Sequence, residues 1–213
     1  IMLLMMTPAA LASEADIKLP DLSQVMFGDL NGLLILKLGL IVCAIGMVFG
    51  WMQYLQTKKL PAHQAMLDVS ATIWETCKTY VLQQGKFLAG LWVLIAACMV
   101  YYFGFLSNMH MTEVLIILAA SILGILGSYG VAWFGIRINT VANSRAAFAS
   151  LSGDPLSIVN ICLRSGMSVG LLLVSIELFF MIIILAYIPG ELAGPCFIGF
   201  AIGESLGASA LRI

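Results

Sequence analysis

Five apolar runs, each about as long as a bilayer is thick, dominate this sequence. They extend roughly from Leu33 to Leu55, Phe87 to Leu106, Val114 to Phe134, Val169 to Ala186, and from Cys196 onward. A helix needs roughly 20 apolar residues to cross a membrane. The expected fold is therefore all-α, a polytopic transmembrane helical bundle. Composition agrees: 62% of residues are apolar and only 10% charged, whereas about a quarter are charged in soluble domains. A net charge of −1 gives no reason to expect a nucleic-acid partner. Membrane lipid is the expected surrounding.

The first thirty residues read differently. A short apolar run ends in Ala10-Leu11-Ala12 before polar residues, the pattern of a secretory signal peptide and its cleavage site. Residues 1–30 are thus expected to be a signal-like segment with an external stretch, and residues 31–213 the transmembrane domain. Cys43, Cys77, Cys98, Cys162 and Cys196 are scattered without a C-x-x-C pair, which suits buried thiols better than disulfides or metal ligands.

Basic residues set the expected orientation. Lys58, Lys59, Lys78 and Lys86 lie between runs one and two, and Arg137, Arg145 and Arg164 between runs three and four. The intervening connections "SNMHMTE" and "IPGELAG" carry no Lys or Arg, and the N-terminal segment carries Lys18 alone. By the positive-inside rule the loops at 56–86 and 135–165 are cytoplasmic and the N-terminus is outside, as in a multi-pass protein of a bacterial-type inner membrane. Within 56–86, Met66, Val69, Ile73, Cys77, Tyr80 and Val81 recur at helical spacing, which predicts an amphipathic helix leading into the second span. Gly153-Asp154-Pro155 predicts a turn.

Familiar catalytic chemistry is missing. No glycine-rich loop ends in Gly-Lys-Ser/Thr, and the two histidines, His63 and His110, fall on opposite sides of the membrane. The informative residues are charges inside the spans. Lys37 is near a span end, where its ammonium can reach the interface. Glu177, in "VSIELFF", lies near the middle of the fourth run, and Glu204 and Arg212 lie in "GESLGASALRI" of the fifth. An intramembrane charge costs at least ~2.5 kcal/mol and is normally kept for pairing or transport. Eight residues put Glu204 and Arg212 on nearly one helix face but about 12 Å apart, too far to pair with each other. Each needs a partner from another helix.

Three segments carry a family resemblance. "GESLGASALRI" resembles the small-residue fifth span of the membrane-integral, ion-pumping pyrophosphatases, which ends in an arginine. "GIRINTVANSRAAFA", with Asn143 and Arg145, and "CLRSGMSVGLLLVS", with Arg164, Ser165 and Gly166, resemble that family's segments flanking its third and fourth spans. The order and spacing match over about residues 30–213.

The resemblance implies a much longer protein of sixteen spans, working as a homodimer, in which magnesium-dependent pyrophosphate hydrolysis drives sodium ions, protons or both across the membrane. It implies that this chain corresponds to the N-terminal third and stops shortly before the catalytic Asp- and Lys-rich motifs, so that it holds no catalytic residue and Mg2+ is bound mainly by residues beyond it. Potassium is a further cation that the family uses in some members. Arg212 matches an arginine of the ion gate, where it pairs with an aspartate and a lysine of later spans. Glu204 departs from the commonest pattern, in which the gate glutamate lies on the following span; it is expected to be a relocated ion-carrying carboxylate or an addition to it. Glu177 is a secondary intramembrane charge. From the residues alone, two other readings stand beside this one: a non-catalytic five-span ion carrier using Glu204 and Glu177, and a structural membrane subunit.

Overall fold

The computed structural model describes residues 25–28 and 30–211. The signal-like Ala10-Leu11-Ala12 pattern, Lys18 and Arg212 lie outside the described residues. A small antiparallel hairpin, β1 (Met26–Phe27) and β2 (Leu30–Asn31), precedes five helices. These are α1 (Gly32–Lys59), α2 (Gln64–Val100), α3 (Met111–Ala149), α4 (Pro155–Tyr187) and α5 (Gly190–Ala210). All five are long and apolar enough to cross a membrane, and the bundle is all-α as expected.

The helices overrun the spans read from hydropathy. The stretches 56–86 and 135–165 are mostly helix rather than loop, leaving only short connections at Leu60–His63 and 150–154. Once the apolar period has nucleated a helix, polar residues of good propensity extend it at little cost. The amphipathic segment is accordingly the first part of α2, which is continuous into the second span. Its Val81 is buried, whereas Val69, Ile73 and Tyr80 stay exposed. Local chemistry fixes the ends. Asn31 caps α1 by accepting from the Leu33 amide at 3.0 Å. Asp154 caps α4, accepting from the Leu156 amide at 3.1 Å, with Pro155 in the first turn, where its missing N–H costs nothing. Gly153 takes φ +73°, the left-handed conformation this turn requires. α2 ends in a π-helical turn, Tyr101–Leu106, whose Tyr101, Tyr102 and Phe105 are exposed, as suits rings at a membrane interface.

α3 is the centre of the bundle, packing against all four other helices. Its closest neighbour is α5, drawn in by a stripe of glycines four residues apart. Gly199, Gly203 and Gly207 press onto the Ile117 carbonyl, the Ser121 carbonyl and the Ser128 hydroxyl. Without a hydrophobic force between helices in lipid, this close backbone approach is what holds them together. One apolar cluster, with Ile117, Ile184, Cys196 and Phe200, joins α2, α3, α4 and α5. A second, Tyr54, Ile138 and Val141, joins α1 to α3 at the end that carries most of the lysines and arginines. α1 lies on α4, where the Ser168 hydroxyl donates to the Gly50 carbonyl at 2.7 Å. The outward faces of α1, α2 and α4 expose Val42, Ile45, Val93, Leu94, Leu163 and Val174.

Candidate functional site: two carboxyl groups in the bundle

The fifth span begins earlier than the Cys196 start read from hydropathy. α5 begins at Gly190, so Glu204 stands about 21 Å along it at 1.5 Å per residue. Glu177 stands about 15 Å from the Tyr187 end of α4 by the same rise. Both therefore fall within a hydrocarbon core of roughly 30 Å, away from either edge.

The two carboxyl groups meet. Glu177 and Glu204, both half-buried, line one cavity of about 10 Å³ between α3, α4 and α5, and their side chains interact directly. That volume is on the scale of a single water. The approach is possible because α3 presents almost no side chain there. A Cβ on Gly124 would collide with the Phe200 carbonyl and the Glu204 amide, and one on Gly127 would reach within 3.5 Å of Ile176 and Phe180. Apolar walls from Leu173, Ile176, Phe180 and Phe200 enclose the pair. Ser128 is the remaining polar side chain of the lining, and its hydroxyl bonds back to the Gly124 and Ile125 carbonyls at 3.2 and 3.1 Å.

The partner of Glu204 is thus another carboxyl group rather than a cation. Among the described residues the one ion pair is Lys78–Glu75, an exposed pair at 3.6 Å within α2. The charge-balancing lysine or arginine that sequence reasoning leads one to seek is not supplied by these residues, and Arg212 lies outside them. Also among the described residues, no group of three or more His, Cys, Asp or Glu could hold a metal ion.

Of the residues that carried the resemblance, Arg145 and Ser165 make packing contacts. Arg145 donates to the Val141 carbonyl at 3.2 Å and to the Ser144 hydroxyl at 2.9 Å, and reaches the Lys58 carbonyl at the end of α1 at 3.2 Å. Ser165 donates to Asn139 at 2.8 Å, tying α4 to α3, while Asn143, Arg164 and Gly166 are exposed. Arg137 stacks over Trp74, 4.5 Å from the ring centroid, and Trp74 meets Trp133 edge-on. This cation–π contact joins α2 to α3 at the basic end of the bundle. His63 caps the start of α2 and His110 the start of α3, at opposite ends of the bundle.

Sequence reasoning picked out both glutamates but not their meeting, nor Gly124, Gly127 and Ser128 that make room for it. The one usable signal was depth, since α4 and α5 are joined by a short connection and both carboxylates lie well inside their spans.

The sequence pattern of the family described as inorganic H+ pyrophosphatase matches residues 44–213. The chain is 62% identical, over 175 residues, to a K(+)-insensitive pyrophosphate-energized proton pump of Chlorobaculum tepidum. That match covers 82% of this chain and 23% of the pump. No solved structure matches the chain.

Proposed function

From the premise that this chain belongs to the inorganic H+ pyrophosphatase family, we propose that it forms the N-terminal helices of a pump coupling magnesium-dependent pyrophosphate hydrolysis to proton movement. The observation that carries the proton reading is the contact of Glu177 with Glu204 in an apolar cavity. Two carboxylates this close, away from water, repel when both are charged; a proton held between them relieves that repulsion. A pair that binds one proton in the middle of a span is a staging point for proton transfer. The match to a family described as inorganic H+ pyrophosphatase, and to a relative named a proton pump, points the same way. Protons are therefore favoured over Na+ as the cargo.

The name of the Chlorobaculum tepidum relative also bears on cations. It is called K(+)-insensitive, and at 62% identity over this region the same insensitivity is proposed here. Arg212, eight residues beyond Glu204 in sequence, is proposed as the fixed cation of the gate, where a guanidinium keeps its charge at any working pH. Mg2+ and pyrophosphate are assigned to residues of the longer protein, and a homodimer is its proposed assembly. The basic end, with Lys58, Lys59 and Arg145, is proposed to face the cytoplasm of a bacterial-type cell, with the N-terminus outside.

The test is a paired assay in vesicles containing the full-length protein. Pyrophosphate should drive proton uptake without sodium and with no stimulation by potassium. Uptake that requires sodium and resists a protonophore would sink the proton reading.

A further inference from the structure

A second cavity, outside the carboxyl site, lies on the open side of α2 and α3. It is a groove of about 700 Å³, floored by Gly85, Ala89 and Tyr129 and walled by Leu82, Trp92 and Leu126. That volume is in the range of ligand pockets, about 300–1,000 Å³. The groove exists because α2 carries small residues at 85 and 89, one turn apart; a Cβ on Gly85 would already lie 3.0 Å from the Tyr129 hydroxyl.

Its polar chemistry is one-sided. The two polar-tipped rings turn their hydrogen-bonding groups inward: Tyr129 donates to the Val81 carbonyl at 3.1 Å, and the Trp92 indole donates to the Ser121 hydroxyl at 3.0 Å. What they offer the groove is ring surface. The one charged lining residue is Lys86, which is exposed and, among the described residues, has neither an ion pair nor a hydrogen bond. Position completes the description. From Leu106 back to Lys86 the helix runs about 30 Å at 1.5 Å per residue, the thickness of the hydrocarbon core. Lys86 therefore stands at headgroup level on the basic end of the bundle, and the groove runs from it toward the bilayer middle at Trp92.

We infer that this groove binds an anionic diacyl phospholipid, with its phosphate on the Lys86 ammonium and an acyl chain lying over Ala89 against Trp92 and Leu126. The charge fits a leaflet containing anionic lipid, which attracts lysines at the membrane surface. The walls fit hydrocarbon. A transmembrane helix seated there would instead bury an unpaired lysine at the boundary unless it brought an acid of its own.

Trp92 makes the groove observable. The full-length protein is reconstituted with phosphatidylglycerol or phosphatidylcholine brominated on the acyl chains, and tryptophan fluorescence is followed; the part of the quenching lost in Trp92→Phe reports the groove. Brominated phosphatidylglycerol is expected to quench that part at a roughly fivefold lower mole fraction than phosphatidylcholine, the scale of one lysine near an anionic surface. Lys86→Gln should abolish the difference while leaving quenching by phosphatidylcholine intact. Equal quenching by both lipids in the unsubstituted protein would overturn the proposal. So would no quenching of Trp92 by either, which would mean that a later helix or a second copy covers the groove.

Discussion

Glu177 of α4 and Glu204 of α5 turn their carboxyl groups toward one another across the flat surface that Gly124 and Gly127 leave on α3. If the pair works as one proton-binding unit, the two residues cannot act independently. Glu204→Gln should lower proton uptake per pyrophosphate hydrolysed by on the order of a hundredfold, the scale of a positioned proton-transfer group. Glu177→Gln should lower it in the same direction, and the double variant should be no worse than the poorer single one, because coupled groups are not additive. Vesicle uptake measured beside phosphate release decides this. Unchanged uptake in Glu204→Gln would make the residue a packing element.

The α3–α5 contact is a backbone contact, and its fragility is local. A methyl at Gly203 meets the Ser121 carbonyl, carbonyl carbon and Cα, none of which can swing aside. Gly203→Ala should therefore destabilise the protein by about 1–3 kcal/mol, the usual cost of overpacking. Gly170, with nothing within 4 Å of its missing Cβ, is the control. There alanine gains up to about 1 kcal/mol of helix propensity and should be neutral or stabilising. Thermal unfolding in detergent separates the two, and equal losses would show that the contact is looser than described.

At the start of α4, the Ser157 hydroxyl, with help from the Leu156 and Ser157 amides, holds the Asp154 carboxyl below its ordinary range. A carboxylate whose native pKa is depressed stabilises the fold above its ordinary pKa and loses that contribution as pH falls through the native value. Asp154→Ala should thus lower Tm near neutral pH, and the gap to the unsubstituted protein should close on acidification toward about pH 3 and below. A gap that stays constant across that range would remove the charge from the explanation and leave only the shape of the turn.

How much of this was legible in the sequence differs by scale. Five spans and their order follow from hydropathy, since apolar runs of that length have few alternatives. Helix ends were less legible: the first part of α2 could be read from its helical spacing, but α3 continues well past its apolar run through polar residues such as Asn139, Thr140, Asn143 and Ser144 that hydropathy counts as loop. Glu204 and Glu177 could be singled out because a carboxylate in a span is costly. Their contact could not, because it depends on the rotation of α5, which the glycines at 124, 199, 203 and 207 set by letting it close on α3, and of α4, whose Ile176 and Phe180 meet α3 at Gly127. In sequence those glycines only say that some helix approaches closely. They do not say which.

Orientation can be tested with the helix ends now located. The connections at 107–110 and 188–189 share one end of the bundle, and those at 60–63 and 150–154 share the other. Lys58, Lys59, Arg145 and Arg164 cluster at the latter, and positively charged ends are retained in the cytoplasm during insertion. Single cysteines at Asn108 and at Glu191, introduced after replacing the native cysteines, should react with a membrane-impermeant maleimide added to intact cells. Cysteines at Pro61 and at Ser152 should react only after the membrane is opened. All four sites are exposed, so a lack of labelling reports the barrier rather than burial in the bundle. The opposite pattern would turn the protein over, and place the basic end, with Lys86 and its groove, in the outer leaflet.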